Sequence, residues 1–146
     1  QGILLFIVSI PIVATASSKT VFNSDLWLTV GFAIWLTGFI TEAVADFQLK
    51  KFITNKSNKG KIMQSGLWKY SRHPNYFGEV VLWWGVWVVS MSINPVWWSV
   101  LGPLTISILI LFVSGVPLLE KRYANNSEYQ KYKKRTSGFV PLPVRK

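Results

Sequence analysis

Five polar side chains gather in the short segment SRHPNYFGE, just before a run of tryptophans and valines. They are Arg72, His73, Asn75, Tyr76 and Glu79. Pro74 suits the first turn of a helix, so a helix is expected to begin at His73 or Pro74. Its free amides and positive dipole end, beside a guanidinium, favour a ligand that carries phosphate. The alternative is an interfacial cap, with Arg72 on lipid phosphate and Tyr76 in the aromatic belt.

Two carboxylates lie four residues apart in the segment GFITEAVADFQLKKF. Glu42 and Asp46 therefore share one helical face, about 6 Å apart along the helix axis. Like charges near the membrane interior repel each other and are costly to desolvate, so these acids need partners. We expect Arg72, His73 and the nearby lysines to provide them. The alternative to a ligand-binding face is a structural ion-pair network at the cytoplasmic interface.

A third cluster follows the last apolar stretch. Glu120 and Tyr123 are three residues apart, and Tyr129 and Tyr132 repeat that spacing, which predicts a short basic helix with tyrosines along one side. We expect Glu120 and Tyr123, at the membrane boundary, to take part in ligand binding. The basic run 131–135 is typical of segments that bind anionic lipid headgroups.

The elements that position these residues are predicted to be membrane helices. Half of the 146 residues are hydrophobic, although the net charge is +10, and the charge is confined to a few stretches. A spanning helix needs about 20 apolar residues. Three stretches reach that length, from Leu26 to about Ala45, Tyr76 to about Ile93 and Val96 to about Leu119, while Ile3–Ala16 is shorter and contains Pro11. The expected fold is an all-α polytopic bundle with three to four spans, forming one transmembrane domain over residues 1–146.

Composition excludes several classes of site and leaves others open. Without cysteine there is no disulfide or thiolate metal site, and one histidine is too few for most zinc or haem sites. No phosphate-cradling glycine loop is present. No metal and no nucleic-acid partner are expected, while membrane lipids and a lipophilic small molecule are the expected partners. Oligomeric state stays open.

The distribution of lysine and arginine predicts the orientation in the membrane. Two basic stretches, 50–72 and 121–146, lie on the same side after two further crossings, which the positive-inside rule assigns to the cytoplasm. The turns Ser17–Asp25 and Ser92–Pro95 are then on the outer side. A multi-pass protein with a cytoplasmic C-terminus follows, and we expect a bacterial inner membrane.

Three segments together resemble the C-terminal half of the membrane steroid 5-alpha-reductase-like family, especially its bacterial members. They are GFITEAVADFQLKKF, GLWKYSRHPNYFGEVVLWWG and EYQKYKKRTSGFVPLP, and the resemblance covers Leu26 to Pro143. It implies a membrane oxidoreductase that uses NADPH to reduce a carbon–carbon double bond conjugated to a ketone. The arginine-histidine-proline motif alone is also shared with sterol reductases and isoprenylcysteine carboxyl methyltransferases.

The resemblance also implies residue roles. Glu42 and Asp46 would hydrogen-bond nicotinamide or ribose groups, Asn75 and Glu79 would fix the nicotinamide end, and Tyr123 would support the ribose-phosphate region. Arg72, His73 and the loop lysines are physical candidates for the phosphates, and Tyr76 and Glu120 complete the expected cofactor-binding set. The family's substrate-side acid and tyrosine lie in N-terminal helices, so no catalytic residue is assigned. We expect this chain, which starts at Gln1, to be the cofactor-binding part of a longer reductase.

Two other functions remain as alternatives. A membrane methyltransferase using S-adenosylmethionine, of the isoprenylcysteine carboxyl or phospholipid type, shares the helix start, but its tail usually carries paired glutamates, whereas Glu120 is followed by Lys121 and Arg122. A non-catalytic lipid-binding membrane protein accounts for the lysines but not for acids at membrane depth.

Overall fold

The computed structural model describes residues 2–18 and 26–145. Its α-helices are α1 Gly2–Ala16, α2 Leu26–Thr54, α3 Pro74–Ile93, α4 Leu101–Ile108, α5 Val116–Arg122 and α6 Ser127–Arg135. Short 3-10 turns occupy Lys56–Asn58, Gly66–Lys69 and Trp97–Val100. Within the described ranges there is no β-strand, which confirms the all-α expectation.

Three helical stretches are long and apolar enough to cross a membrane, and they support an integral membrane protein. They are Leu26–Thr54, Pro74–Ile93 and Trp97–Arg122. The start of α3 at Pro74 confirms the prediction from the proline. With 29 residues, α2 is about 43 Å long, well beyond the roughly 30 Å of bilayer hydrocarbon. It therefore continues past the expected end near Ala45 and includes Lys50 and Lys51.

The outer turn predicted at Ser17–Asp25 falls largely on residues 19–25, which are outside the described residues. The second predicted turn, at Asn94 and Pro95, separates α3 from the next helical stretch. The Asn94 N–H donates to the Ser90 carbonyl at 2.8 Å, a hydrogen bond of the helical type. The helical pattern therefore reaches this turn and ends there.

The third span is interrupted, which the sequence analysis did not predict. A π-helical segment, Leu109–Val113, follows α4, and α5 begins only at Val116. Pro117 lacks an N–H, and its ring would clash with the carbonyl of Val113, four residues earlier, in a continuous helix. Gly115 fits the resulting break, because a Cβ at this residue would lie 2.9 Å from Ile110 Cα.

The chain forms two compact units. The first comprises the described part of residues 1–39 together with 79–109. Inside it, Ser90 donates a hydrogen bond at 2.9 Å to the carbonyl of Pro11, a proline inside α1. Gly85 packs against the backbone of Trp35 so closely that a Cβ would lie 2.6 Å from Trp35 Cα. Close helix packing at small residues organises this unit.

The second unit comprises residues 40–78 and the described part of 110–146. In it, the loop after α2 folds back onto that helix. The Trp68 indole donates to the Ala45 carbonyl at 3.0 Å, and the Leu67 N–H donates to Gln48 Oε1 at 2.9 Å. Gly66 has φ of +62°, a conformation that glycine adopts readily, and this lets the Gln48 side chain lie against it.

Candidate functional site

The segment that leads into α3 is held by the C-terminal tail. The Arg72 N–H donates to the Ser137 carbonyl at 2.9 Å, within a parallel bridge between Ser71 and Ser137. The Ser71 hydroxyl donates to the Phe139 carbonyl at 2.6 Å and accepts from the His73 N–H at 3.1 Å. The tail therefore orders the backbone that presents the polar cluster.

Helix α6 adds a second set of bonds to this segment. Asn126 caps the helix by accepting from the Tyr129 N–H at 2.9 Å. The Tyr132 hydroxyl hydrogen-bonds to the carbonyls of Trp68 and Ser71, the latter at 3.1 Å. Tyr129 and Tyr132 are 5% and 2% exposed. The prediction that tyrosines line one side of a short basic helix is confirmed.

Glu120 is the centre of an ion cluster. Arg72 Nε donates to Glu120 Oε1 at 2.9 Å, Arg72 Nη2 donates to the same oxygen, and Lys133 Nζ donates to Glu120 Oε2 at 2.6 Å. Arg72 Nη1 donates to the carbonyl of Thr136 at 2.6 Å and to that of Lys133 at 3.3 Å. These carbonyls lie at the C-terminal end of α6, where a cation is favoured. All three nitrogens of the guanidinium are therefore engaged by the protein.

This cluster corrects the expected charge balance of α2. Arg72 and His73 were expected to face the Glu42 and Asp46 carboxylates, but both lie against Glu120 instead. The reason is that Glu120 and the end of α6 together accept four hydrogen bonds from the guanidinium. Asp46 accepts a hydrogen bond from the Asn75 side chain at 3.0 Å.

His73 is a buried, neutral imidazole. The residue is 3% exposed, and its ring stacks on Tyr76 at 5.7 Å between centroids. Burial lowers the pKa of His73 to about 4. The negative charge of Glu120 opposes this shift, whereas the positive charge of Arg72 adds to it. His73 Nε2 lies 3.7 Å from Glu120 Oε1 and has no hydrogen-bond partner within the described part of the chain.

A cavity of about 170 Å³ lies beside this cluster. Arg72, His73 and Tyr123 contribute to its lining, together with Phe52, Lys61, Met63, Trp68 and Tyr129. The rings of Tyr123 and Tyr129 stack at 5.2 Å. The Tyr129 hydroxyl is buried and makes no hydrogen bond of good geometry among the residues that are described. Burial raises the pKa of this phenol, and the nearby Arg72 guanidinium offsets part of that rise. The cavity combines aromatic faces, buried polar atoms and a lysine.

The nine predicted site residues fall into groups. Arg72, His73, Glu120 and Tyr123 lie at the cavity or contact its lining. Asn75 and Asp46 contact each other, and Tyr76 joins through His73. Glu42 lies one helical turn before Asp46 on α2, whereas Glu79 belongs to the first unit. The second unit therefore contains eight of the nine, and their roles in binding stay predictions.

Four buried cavity residues, Met63, Trp68, Tyr129 and Tyr132, were missing from the predicted set. The spacing of Tyr129 and Tyr132 was recognised, but its consequence, a buried aromatic wall, was not. Trp68 and Met63 are buried residues of a segment without periodicity, and the contacts of Trp68 with α2 and α6 follow from no local pattern.

Comparison with known proteins gives this arrangement a family context. The chain is 32% identical over 97 residues to 3-oxo-5-alpha-steroid 4-dehydrogenase 1 of Homo sapiens, an alignment covering 63% of this chain and 35% of that protein. It is 30% identical over 124 residues to the enzyme of the same name from Macaca fascicularis, covering 80% of this chain and 44% of the relative. The chain spans less than half the length of these curated relatives.

Three further results bear on the family of this chain. A probable O-methyltransferase of Ustilaginoidea virens is 36% identical over 73 residues, covering 50% of this chain and 26% of that protein. No solved structure matches the chain. The family model described as "Protein of unknown function (DUF1295)" matches residues 1–136, nearly the whole sequence. The chain therefore belongs to the DUF1295 family, which is steroid 5-alpha-reductase-like.

Proposed function

We propose that this chain is the cofactor-binding part of a membrane oxidoreductase that uses NADPH to reduce a carbon–carbon double bond conjugated to a ketone. The observation that carries the proposal is the 3.0 Å hydrogen bond between Asn75 and Asp46. It joins the two sequence segments on which the family resemblance depends most. Both were expected to hold the nicotinamide end of the cofactor.

The relatives suggest the class of substrate. A 3-oxo-5-alpha-steroid 4-dehydrogenase, by its name, acts next to the ketone of a steroid. In the reducing direction the corresponding substrate is a 3-oxo steroid with a double bond at carbon 4. We propose a lipophilic enone of this steroid-like kind, which suits a protein whose helices lie in lipid.

The reaction balances with one cofactor and one proton. NADPH supplies a hydride to the β-carbon of the enone, a proton adds at the α-carbon, and NADP⁺ and the saturated ketone result. On this chain, the Asn75 amide and the Asp46 carboxylate offer both a donor and an acceptor to an amide-bearing ring. Glu42 and Glu79 remain proposed ligands from the same two segments.

The residues of the second unit fit a phosphorylated nucleotide. The cavity provides aromatic faces and buried polar atoms, and exposed Lys61 stands at its wall. Because Arg72 is bound on all sides by Glu120 and α6, we propose that lysines rather than Arg72 meet the phosphates. Arg72 then positions His73 and the start of α3.

Cofactor titration tests the proposal directly. The protein in detergent is titrated with NADPH, NADH and S-adenosylmethionine, and loss of NADPH absorbance is followed with a 3-oxo-4-ene steroid. Asn75→Ala should weaken NADPH binding roughly tenfold, since it removes the amide that donates to Asp46 and that is proposed to hold the nicotinamide end. Asn125→Ala, on an exposed turn, is the matched control and should bind normally. NADPH binding that is equal in both variants would contradict the proposal.

One observation favours a second candidate function. The similarity to a probable O-methyltransferase supports a methyltransferase using S-adenosylmethionine. The same titration separates the two, because only the reductase should bind NADPH and only the methyltransferase should bind S-adenosylmethionine. Binding of neither would leave a lipid-binding membrane protein.

We also propose an orientation. The basic loops and the C-terminus face the cytoplasm of a bacterial inner membrane, and α6 contacts anionic lipid through its lysines. Single cysteines placed at Lys59 and Asn94, in a chain that contains no other cysteine, should react with a membrane-impermeant reagent from opposite sides. Labelling of both from the same side would overturn this orientation.

A further inference from the structure

The C-terminal tail, residues 137–145, is ordered although it forms neither a helix nor a strand. Besides the bonds to the SRHP segment described above, the Leu142 N–H donates to the Tyr70 carbonyl at 3.0 Å. The Arg145 N–H donates to the Arg135 carbonyl at 3.0 Å. Hydrogen bonds therefore fix the tail along its length against the segment that precedes α3 and against the end of α6.

Three large apolar side chains on this ordered backbone are left uncovered. Tyr70, Val140 and Leu142 are 43%, 48% and 46% exposed, and we call them the tail patch. The hydrogen bond between Leu142 and Tyr70 brings the two segments of the patch together. Single exposed apolar residues are common on any protein, whereas a group held together by the fold indicates an apolar partner.

The backbone of the tail patch is suited to surroundings that contain little water. Pro141 and Pro143 have no N–H, and the N–H of Leu142 between them is already paired. Residues 141–143 therefore present no unpaired backbone N–H. A free N–H is costly to bring into lipid, so this stretch can approach the acyl chains without that cost.

Helix α3 indicates the depth of the patch. The ring of Phe139 meets the ring of Phe77 edge to face, with 5.6 Å between the centroids. Phe77 lies in the first turn of α3, which is one of the helices long and apolar enough to cross a membrane. The residue just before Val140 thus contacts a spanning helix where that helix begins. This continuity with a membrane helix favours lipid over a second protein as the partner.

The charges around the patch are positive. Lys69 Nζ lies 5.9 Å from the centroid of the Tyr70 ring, and both Lys69 and Arg145 are exposed. Residues 47–78 and 129–146 contain no aspartate or glutamate. Basic groups beside apolar side chains suit the boundary between phospholipid phosphates and acyl chains.

We propose that the tail patch inserts into the headgroup–acyl boundary of the bilayer and anchors the tail beside α3. The partner is the phospholipid surface, with Lys69 and Arg145 at the phosphates. The inference depends neither on the cofactor nor on which side of the membrane the tail faces. Because the tail carbonyls order the SRHP segment, the bilayer then also helps to hold that segment in place.

Single cysteines in this cysteine-free chain test the insertion. Val140→Cys and Leu142→Cys, each in the full chain, are labelled with nitrobenzoxadiazole and placed in phosphatidylcholine vesicles. The lipids are used with and without a nitroxide near the headgroup end of the acyl chain. The nitroxide should quench both labels roughly threefold more strongly than a label at Asn125→Cys, on an exposed turn. Phe39→Cys, at an exposed apolar residue of α2, is the positive control.

Each other outcome of the labelling contradicts the proposal. Quenching no stronger than at Asn125→Cys, with emission typical of water, would show that the tail patch is solvated. A shift to shorter wavelength without quenching would show that protein, such as a second copy of the chain, covers the patch. Quenching that requires added phosphatidylglycerol would show that Lys69 and Arg145 act alone, without insertion of the apolar side chains.

Hydrogen exchange tests the effect on the SRHP segment. The double variant Val140→Ser/Leu142→Ser keeps every backbone bond of the tail but weakens its insertion. In the same vesicles, exchange of the Arg72 amide, which donates to Ser137, should rise roughly threefold. Lys56→Ser, on the exposed basic loop, is the control and should leave this amide unchanged. If the patch faced water, the double variant would also leave it unchanged, and that result would overturn the inference.

Discussion

The two units of the molecule are stabilised by different means. In the first, helices approach at small residues, so that Gly85 meets the backbone of Trp35 and Gly31 that of Val89. In the second, one carboxylate balances two full cations, Arg72 and Lys133, and the tail pairs with the segment before α3. The first unit should therefore be sensitive to added volume, and the second to lost charge and lost hydrogen bonds.

This contrast bears on function. A unit built from close apolar packing has few groups with which to bind a polar ligand, whereas the second unit carries the cavity and nearly all of the predicted site residues. The hydrogen bonds that order the SRHP segment are made with other residues of the protein, largely in α6 and the tail that follows it. The polar residues of that segment therefore form a scaffold first, and only some are left for a ligand.

Glu120→Ala should produce the largest effect. It removes the carboxylate that faces Arg72 and Lys133 and leaves the guanidinium, whose side chain is 9% exposed, without a counter-charge. We expect a loss of about 3–5 kcal/mol in the free energy of unfolding, measured by thermal melting in detergent. Glu128→Ala, which removes an exposed acid bonded to Gln64, is the control and should change little. Equal losses of stability in the two variants would contradict the stabilising role of the Glu120 ion cluster.

Acid should destabilise the second unit through His73. Its pKa is about 4 when folded, below the ordinary value of 6.5. Between pH 6.5 and 4 this histidine binds a proton in the unfolded chain but not in the folded chain. The free energy of unfolding therefore falls as pH decreases and levels off below pH 4. The full loss is on the order of 3 kcal/mol.

Unfolding measured across this window in the wild type and in His73→Gln tests the assignment. Glu120 and Arg72 act electrostatically on the ring, and Tyr76 stacks on it. A carboxylate ordinarily titrates at about pH 4.3, in the lower half of the window. The variant should therefore show a flatter slope in the upper half of the window. Identical slopes would show that another group is responsible.

Gly85→Ala should disturb the first unit by about 2 kcal/mol, because its Cβ would overlap the Trp35 backbone, which has no freedom to rotate away. Gly2→Ala is the control, since nothing lies within 4 Å of a Cβ there. Melting temperatures of the two variants should differ, although alanine has the better helix propensity at both sites. A stabilised Gly85→Ala variant would refute the packing argument.

Asn126→Ala should have the smallest effect. It removes the cap of α6, whose side chain accepts from the Tyr129 N–H, at a cost of about 1 kcal/mol. The adjacent Asn125→Ala leaves the cap intact. Hydrogen exchange of the α6 amides should rise only in the first variant, and a rise in both would mean that α6 frays without regard to its cap.

Local features of the fold were predictable and long-range pairings were not. Pro74 marked the start of α3 and the tyrosine spacing marked a face of α6, because both follow from the geometry of one helix. Arg72 and Glu120 are far apart in sequence, and no local pattern distinguishes Glu120 from Glu42 or Asp46 as the partner. Pro117 did indicate the break at Gly115, but the stretch was predicted to be one continuous span because of its apolar length.

The pairing of Ser71 with Ser137 has a consequence for biosynthesis. Every described residue of the first unit has been synthesised once the ribosome reaches Leu109, so this unit can pack while translation continues. Arg72 and His73 emerge early, yet the carbonyls and the hydroxyl that fix them belong to residues 132–139. The nascent SRHP segment can therefore form these hydrogen bonds only after residues 132–139 have been synthesised. A ribosome stalled at Arg135 would hold it without the partners at residues 136–139.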